Sequence, residues 1–300
     1  MTAPAPPTPA ALLFATDLSS RCDRALDRAL LCARQWQARL VAMTVVEPGP
    51  HYPTSAAAAL GGVAAQERDM ALRHAEQRLH ADLAIEGELP LSIRIGQGPV
   101  AAAILEACKS EGAGLIVTGV ARNEALSRVV LGSTVDDLAR HAPVPLLVVR
   151  NRARESYRQV LVASDFSPAS ALALRTAAAL FPDAALTLFH AFDKPYPALA
   201  GMDPAVAQAD GRRQAEEEAR RFLHTSELPE AARARVRLLL SYGDASVLLH
   251  AHSLAHPGDL VVLGTQRRRG LLGLLLGSVA QRILEQTEND VLLIPPTATA

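Results

Sequence analysis

Three hundred residues are enough for roughly two domains of about 150 residues each, and a chain that is 49% apolar but only 4% aromatic must build its cores from Ala, Leu and Val. Thirty Lys and Arg against 31 Asp and Glu leave a net charge of −1. That removes the basic excess that nonspecific nucleic-acid binding needs. No apolar run approaches the roughly 20 residues of a membrane helix, so a soluble, cytoplasmic protein is expected.

Residues 1–10 are rich in Pro and Ala without a charged n-region, and read as a disordered tail, not a signal peptide. Ala11 to Ala15 is an apolar run ending in Thr16-Asp17, the pattern of a buried parallel strand. Ser19 or Ser20 is expected to cap a helix with the apolar stripe Cys22, Ala25, Leu26, Ala29, Leu30, Ala33 and Trp36. Leu40 to Val46 is a second strand, and a Pro/Gly/Ala-rich segment follows to about Gly62. A long amphipathic helix is predicted over about Ala64 to Leu83, with Met70, Leu72, Ala75 and Leu79 on its apolar face. Leu91 to Ile95 alternates as a half-exposed strand. Gly96 to Pro99 turns the chain into a helix bearing Val100, Ile104, Leu105 and Cys108. Leu115 to Val117 and Pro145 to Val149 are the fourth and fifth strands. The charged run Arg150 to Glu155 reads as a linker. Cys22, Cys32 and Cys108 form no CxxC pair and read as small buried residues in a reducing compartment.

The second half repeats this order. Val160 to Asp165 matches the first strand, with Asp165 standing 148 residues after Asp17. Ser167-Pro168 is a helix start with proline at the first helical position. Leu186 to Ala191 is the second strand; Val236 to Leu240, Gly243 and the loop after Leu260 to Leu263 each follow their first-half counterparts by 145 residues. Val291 to Ile294 closes the half. A sustained offset marks duplication of one α/β unit. The expected domains are 11–150 and 157–296, joined by a linker over 151–156. Each is a parallel sheet flanked by helices, and right-handed crossovers leave few topologies.

Each fourth strand runs into a glycine-bearing loop and then a helix. Gly119 and Gly132 are 13 residues apart, as are Gly264 and Gly277, and Ser133-Thr134 or Ser278-Val279 follows. Such a loop brings bare amides to a helix N-terminus, where the dipole favours an anion, most often phosphate. With strand order 3-2-1-4-5, Asp17 and Asp165 would lie beside these loops at the switch point where ligands bind.

On these residues the chain resembles the universal stress protein family in its tandem form, over residues 11–150 and 157–296. The resemblance rests on the aspartate after strand one (Asp17, Asp165), the glycine turn before the third helix (Gly96 to Pro99, Gly243 to Ser246) and the loop with its trailing Gly-Ser (Gly132-Ser133, Gly277-Ser278). It implies two Rossmann-like domains of the adenine nucleotide alpha hydrolase type, each a five-stranded parallel sheet of order 3-2-1-4-5. It also implies ATP or another adenine nucleotide as ligand, with a magnesium ion as an optional companion. The adenine would meet Asp17 and the Val45 backbone, or Asp165 and the Ala191 backbone. The phosphates would meet Gly119, Gly132, Ser133 and Thr134, or Gly264, Gln266, Arg267, Arg268, Gly277, Ser278 and Val279. Nucleotide-binding members carry a further glycine in mid-loop, where this chain has Arg122 and Arg267. Each arginine either supplies a guanidinium to phosphate or faces solvent on a loop that has lost its ligand.

The residues leave other readings open. Asp17 and Asp165 could serve only as helix N-terminal charges, and Ser133 and Ser278 only as caps. The Leu271 to Leu276 cluster is read as core, with a partner patch as the alternative. His250, His252 and His256 read as a solvated helix face, since no carboxylate or cysteine completes a metal set at the usual spacing. No Gly-x-Ser-x-Gly elbow and no P-loop lysine is present, so efficient acyl or phosphoryl chemistry is not indicated. The expectation is a stress-response or regulatory protein whose halves pair as a pseudo-dimer through Pro145–Val149 and Val291–Ile294, with a further homodimer left open. A nucleotide-free interaction module and a slow ATP hydrolase are the alternatives.

Overall fold

The computed structural model describes residues 8–46, 61–83, 89–120, 122–123, 128–129, 132–193, 203–265 and 277–296. The expectations for residues 1–7, the 47–60 segment, Gln266 to Arg268 and Leu271 to Leu276 therefore lie outside the described residues.

Strands with no wet face must be covered on both sides, and the inner strands here have none. In the first half these are β1 (Ala11–Thr16), β2 (Arg39–Val46), β3 (Leu91–Gln97), β4 (Leu115–Gly119) and β7 (Leu146–Val149), with a two-residue pair β5 (Arg122–Asn123) and β6 (Arg128–Val129) after β4. In the second they are β8 (Gln159–Ala163), β9 (Ala185–Phe192), β10 (Val236–Tyr242), β11 (Leu260–Gly264) and β12 (Asp290–Ile294). The ten long strands form one sheet in the order β10-β9-β8-β11-β12-β7-β4-β1-β2-β3. Each half thus has the order 3-2-1-4-5, and the long strands within a half pair in parallel throughout, whereas β5 and β6 pair antiparallel apart from the sheet. The halves meet where β12 pairs antiparallel with β7, Val291 opposite Val148, Leu292 opposite Leu147 and Leu293 opposite Leu146.

Helices cover both faces. On one side α1 (Asp23–Trp36), α2 (Gly61–Leu83), α5 (Pro168–Leu180) and α6 (Pro204–Thr225) pack on Leu12, Phe14, Val162 and Leu188. On the other, α3 (Val100–Ser110), α4 (Ser133–His141), α8 (Ala245–Ala255) and α9 (Ser278–Gln286) pack on Leu13, Ile116, Val261 and Leu293. A short helix α7 (Glu230–Ala234) precedes β10. Both cores run unbroken across the seam between the halves.

The seam also buries charge. Asp290 accepts from the backbone N–H groups of Arg150 and Asn151 at 2.7 and 2.9 Å and from the Tyr157 hydroxyl at 2.5 Å. Arg28 of α1 lies 3.5 Å from the same carboxylate, with its guanidinium carbon 3.7 Å above the Tyr157 ring. Trp36 reaches over to donate to the Leu180 carbonyl and packs on Phe181.

Several sequence readings need correction. Neither Ser19 nor Ser20 caps α1 with its side chain: a 3-10 turn over Ser20–Cys22 intervenes, and the Asp17 carboxylate has already taken the Ser19 amide. Met70 is 58% exposed; among the described side chains of α2, Ala75, Leu79 and Leu83 are the buried ones. The run after β7 has no regular structure, but it is not solvated throughout: Arg150 is buried and donates to the Leu284 carbonyl. The histidines of α8 are engaged, His252 to Asp259 at 3.0 Å and His250 to the Gln286 carbonyl at 2.6 Å, because the end of α8 packs on α9 and the following turn. Cys22 is half-buried, and Cys32 and Cys108 are buried; burial pushes the Cys32 thiol up to about 12.

Candidate functional site

Chain polarity decides where a site can form. After β8 the chain crosses to α5 on one face; after β11, the adjacent strand, it leads to α9 on the other. The carboxyl ends of β8 and β11 therefore diverge and leave a crevice. A cavity of about 590 Å³ lies there, walled by Ala163, Phe189, Ala191, Leu263 and Ile283, with Asp165, Ser170, Thr265 and Ser278 among its polar groups.

Asp165 stands on a turn built to hold it. Its Oδ1 accepts from the Ser167 amide at 3.0 Å and from the Ser170 hydroxyl at 2.7 Å, and Ser167 Oγ in turn caps α5. Phe166 takes φ +61°, a left-handed conformation that is costly for a bulky residue. Its ring stacks on His190 at 4.1 Å and is set against Phe222 at 5.4 Å, and its amide donates to Ser164 Oγ at 3.0 Å. His190 Nδ1 is 2.8 Å from the Ser164 carbonyl. A carbonyl can only accept, so this bond assigns the proton to Nδ1.

The first half repeats the turn. Leu18 has φ +59°, and Asp17 Oδ1 accepts from the Ser19 amide at 2.9 Å and from Cys22 Sγ at 3.2 Å. Cys22 is the counterpart of Ser170. Burial pushes both carboxyls up, but the hydrogen bonds from Ser167 and Ser170, or from Ser19 and Cys22, outweigh it and hold each below the usual carboxylate range. The lowered Asp165 value means a contribution to stability that is full above its unfolded value and fades as pH falls through the folded one. In a Ser170→Ala variant the Asp165 carboxyl should titrate closer to its ordinary 3.8, read by carbon-13 NMR. An unmoved titration would show that Ser170 does not hold it.

The two loop glycines of the second half differ in their work. A Cβ on Gly264 would lie 2.4 Å from the Ala169 carbonyl oxygen, so its bare Cα admits the start of α5. At Gly277 a Cβ would meet nothing within 4 Å among the described residues. Gly277 is the N-cap of α9, without a side chain to satisfy the first amides, and the first turn of α9 holds no acid. The Gly277 to Gln281 stretch faces the cavity. Its counterpart α4, also capped by a glycine, carries Asp136 in its first turn, with Asp137 beside it. The α9 N-terminus thus has no acid in its first turn, while at α4 Asp136 is shared with Arg140 at 2.8 and 3.0 Å and Asp137 stands beside it.

Of the residues singled out from sequence, Asp165, Ala191, Gly264, Gly277, Ser278 and Val279 line one cavity. Asp17, Val45, Gly119, Gly132, Ser133 and Thr134 occupy the equivalent strand ends and helix start of the first half. Gln266, Arg267 and Arg268 lie outside the described residues, and Arg122 is described only as backbone of β5. Sequence reading missed Ser170, Thr265 and His190. Ser170 was within reach, since the 148-residue offset sets it over Cys22, another donor. Thr265, buried and donating from both N–H and Oγ1 to the Ile294 carbonyl, carries no such signal. Among the described residues no group of three His, Cys, Asp or Glu could hold a metal ion, and no helix is long and apolar enough to cross a membrane.

A doubled 3-2-1-4-5 parallel sheet with helices on both faces defines a tandem Rossmann-like α/β class. The family model for the universal stress protein family matches residues 11–150 and 156–295, and the chain belongs to that family. It is 28% identical to a universal stress protein of Mycolicibacterium smegmatis, over 95% of this chain and 97% of that one. Its fold is similar to the crystal structure of a universal stress protein from Archaeoglobus fulgidus DSM 4304, with a TM-score of 0.62 at 15% identity over 95% and 98% of the two chains. It is also similar to a Pseudomonas aeruginosa UCBPP-PA14 structure of the same kind, with a TM-score of 0.65 at 22% identity over 96% and 94%.

Proposed function

We propose that the protein binds an adenine nucleotide, ATP foremost, in its C-terminal half and acts in the cytoplasm as a ligand-dependent stress-response or regulatory protein. One observation carries the reading. A single cavity has an ionised carboxylate at one side and an acid-free helix N-terminus at the other.

Asp165 spends Oδ1 on its own turn, leaving Oδ2 to accept from a ligand. An exocyclic amine such as that of adenine meets this demand. The walls between are apolar and suit a planar base, and the volume lies within the roughly 300–1,000 Å³ usual for small-molecule sites. Phosphates then fall toward the Ser278 and Val279 amides, where the α9 dipole favours them. A magnesium ion would ride on the phosphates, as no cluster of acids stands ready among the described residues. The same logic makes the first half the weaker site, because Asp136 and Asp137 set negative charge at the start of α4.

Isothermal titration of ATP into the intact protein should give saturable binding at one site per chain. Absence of heat up to millimolar ATP would contradict the reading.

A further inference from the structure

An ion pair at the lip of the cavity takes no part in the contacts above. Asp244 caps α8: its Oδ1 accepts from the Ser246 and Val247 amides at 2.9 and 3.2 Å and from the Ser246 hydroxyl at 2.5 Å. Its Oδ2 accepts from Arg282 of α9 at 3.2 Å. The chain neighbours of this pair, Ala245 and Gln281, line the cavity. Arg282 follows Ser278 by four residues and so shares its face of α9. Helical side chains lean toward the N-terminus, so from its Cα the Arg282 side chain runs toward the start of α9. The two side chains are 47% and 44% exposed, so the pair contributes little to stability. At the corresponding positions, 145 residues earlier, the first half has Pro99 and Asp137. It has neither the cap nor the cation.

Resting on the adenine-nucleotide reading, we propose that Arg282 is an exchangeable phosphate ligand held in reserve by Asp244. The outer phosphates of a bound nucleotide compete with Asp244 Oδ2 for the guanidinium, so affinity rises with phosphate number. The exchange is downhill. An exposed carboxylate pair is weak, whereas a phosphate accepts two parallel, charge-assisted bonds from arginine. Asp244 Oδ1 keeps its three donors throughout, so α8 stays capped while the pair opens.

AMP, ADP and ATP titrated into wild type, Asp244→Asn and Arg282→Gln test this. Asparagine caps helices as well as aspartate, so α8 should persist, with thermal unfolding as the check. AMP affinity should be alike in all three proteins. The ATP-to-AMP affinity ratio should rise roughly 2- to 5-fold in Asp244→Asn, where the competitor has lost its charge. It should fall roughly tenfold in Arg282→Gln, and less in Arg282→Lys, which keeps the charge without the fork. An unchanged ratio in every variant overturns the proposal and leaves the nucleotide reading standing. Failure of wild type to bind any of the three overturns both.

Discussion

Replacing Asp290 by alanine should lower unfolding stability by about 3–5 kcal/mol, as expected when one partner of a buried ion pair is removed. Asp290 is 1% exposed and Arg28 5%, so neither charge has water to fall back on. Burial, together with the Asp290 charge, holds the Tyr157 phenol well above its ordinary range, so it stays protonated and can only donate to the carboxylate. Truncation would therefore strand a phenol hydroxyl and two backbone N–H groups at once and remove the counter-charge of the buried Arg28, which keeps only its bond to the Glu155 carbonyl and the Tyr157 ring. Denaturant unfolding monitored by circular dichroism gives the number. A loss under about 1 kcal/mol would show that solvent reaches the seam. Adding Arg28→Met should recover part of the loss, because an apolar replacement of a whole buried pair is often tolerated.

Gly264→Ala is the second large effect, with an expected loss of about 1–3 kcal/mol from overpacking. The added Cβ would stand 2.4 Å from the Ala169 carbonyl oxygen and 3.1 Å from the Ser170 amide nitrogen. Both belong to backbone and cannot swing aside, so α5 must move. Ser170 holds Asp165, so the same shift should also disturb the Asp165 turn and weaken ligand binding. Gly277→Ala is the matched control. Its Cβ would meet no described residue within 4 Å, which leaves the cap preference of glycine over alanine, below about 1 kcal/mol. Equal losses for the two substitutions would refute the close approach at Gly264.

The sheet was legible because its determinants are local and repeated. Runs such as Val261-Val262-Leu263 can only be buried strands, and offsets of 145 and 148 residues force the same topology twice. The join of the halves through their last strands was expected; its antiparallel sense was not. The seam's charges were not legible. Arg28 sits among the polar positions of α1 by pattern, and its repeat counterpart is Thr176, while that of Asp290 is Pro145. Buried charge is an exception to patterning and has to be seen in space. Helix α6 was overlooked although Asp203-Pro204 announces it, with Asp203 Oδ1 accepting from the Ala205 amide at 2.8 Å. For the site, Asp165 and Gly277 declared themselves by spacing. The division of labour between Gly264, which serves packing, and Gly277, which faces the cavity, depends on what lies opposite each Cα, which a motif does not encode.

Membership in a family fixes a scaffold; what this chain does with it turns on whether one half, and which, presents amides to an anion. The absence of acid from the first turn of α9 and its presence in α4 point to the C-terminal half. The direct measurement is calorimetric titration of ATP into three proteins: wild type, Gly277→Trp and Gly132→Trp. Gly277 lines the cavity at the α9 amides, so an indole there should abolish binding. The same change at 132 should leave one site of unchanged affinity. Full binding by Gly277→Trp, or its loss in Gly132→Trp alone, would contradict a ligand seated in the second half.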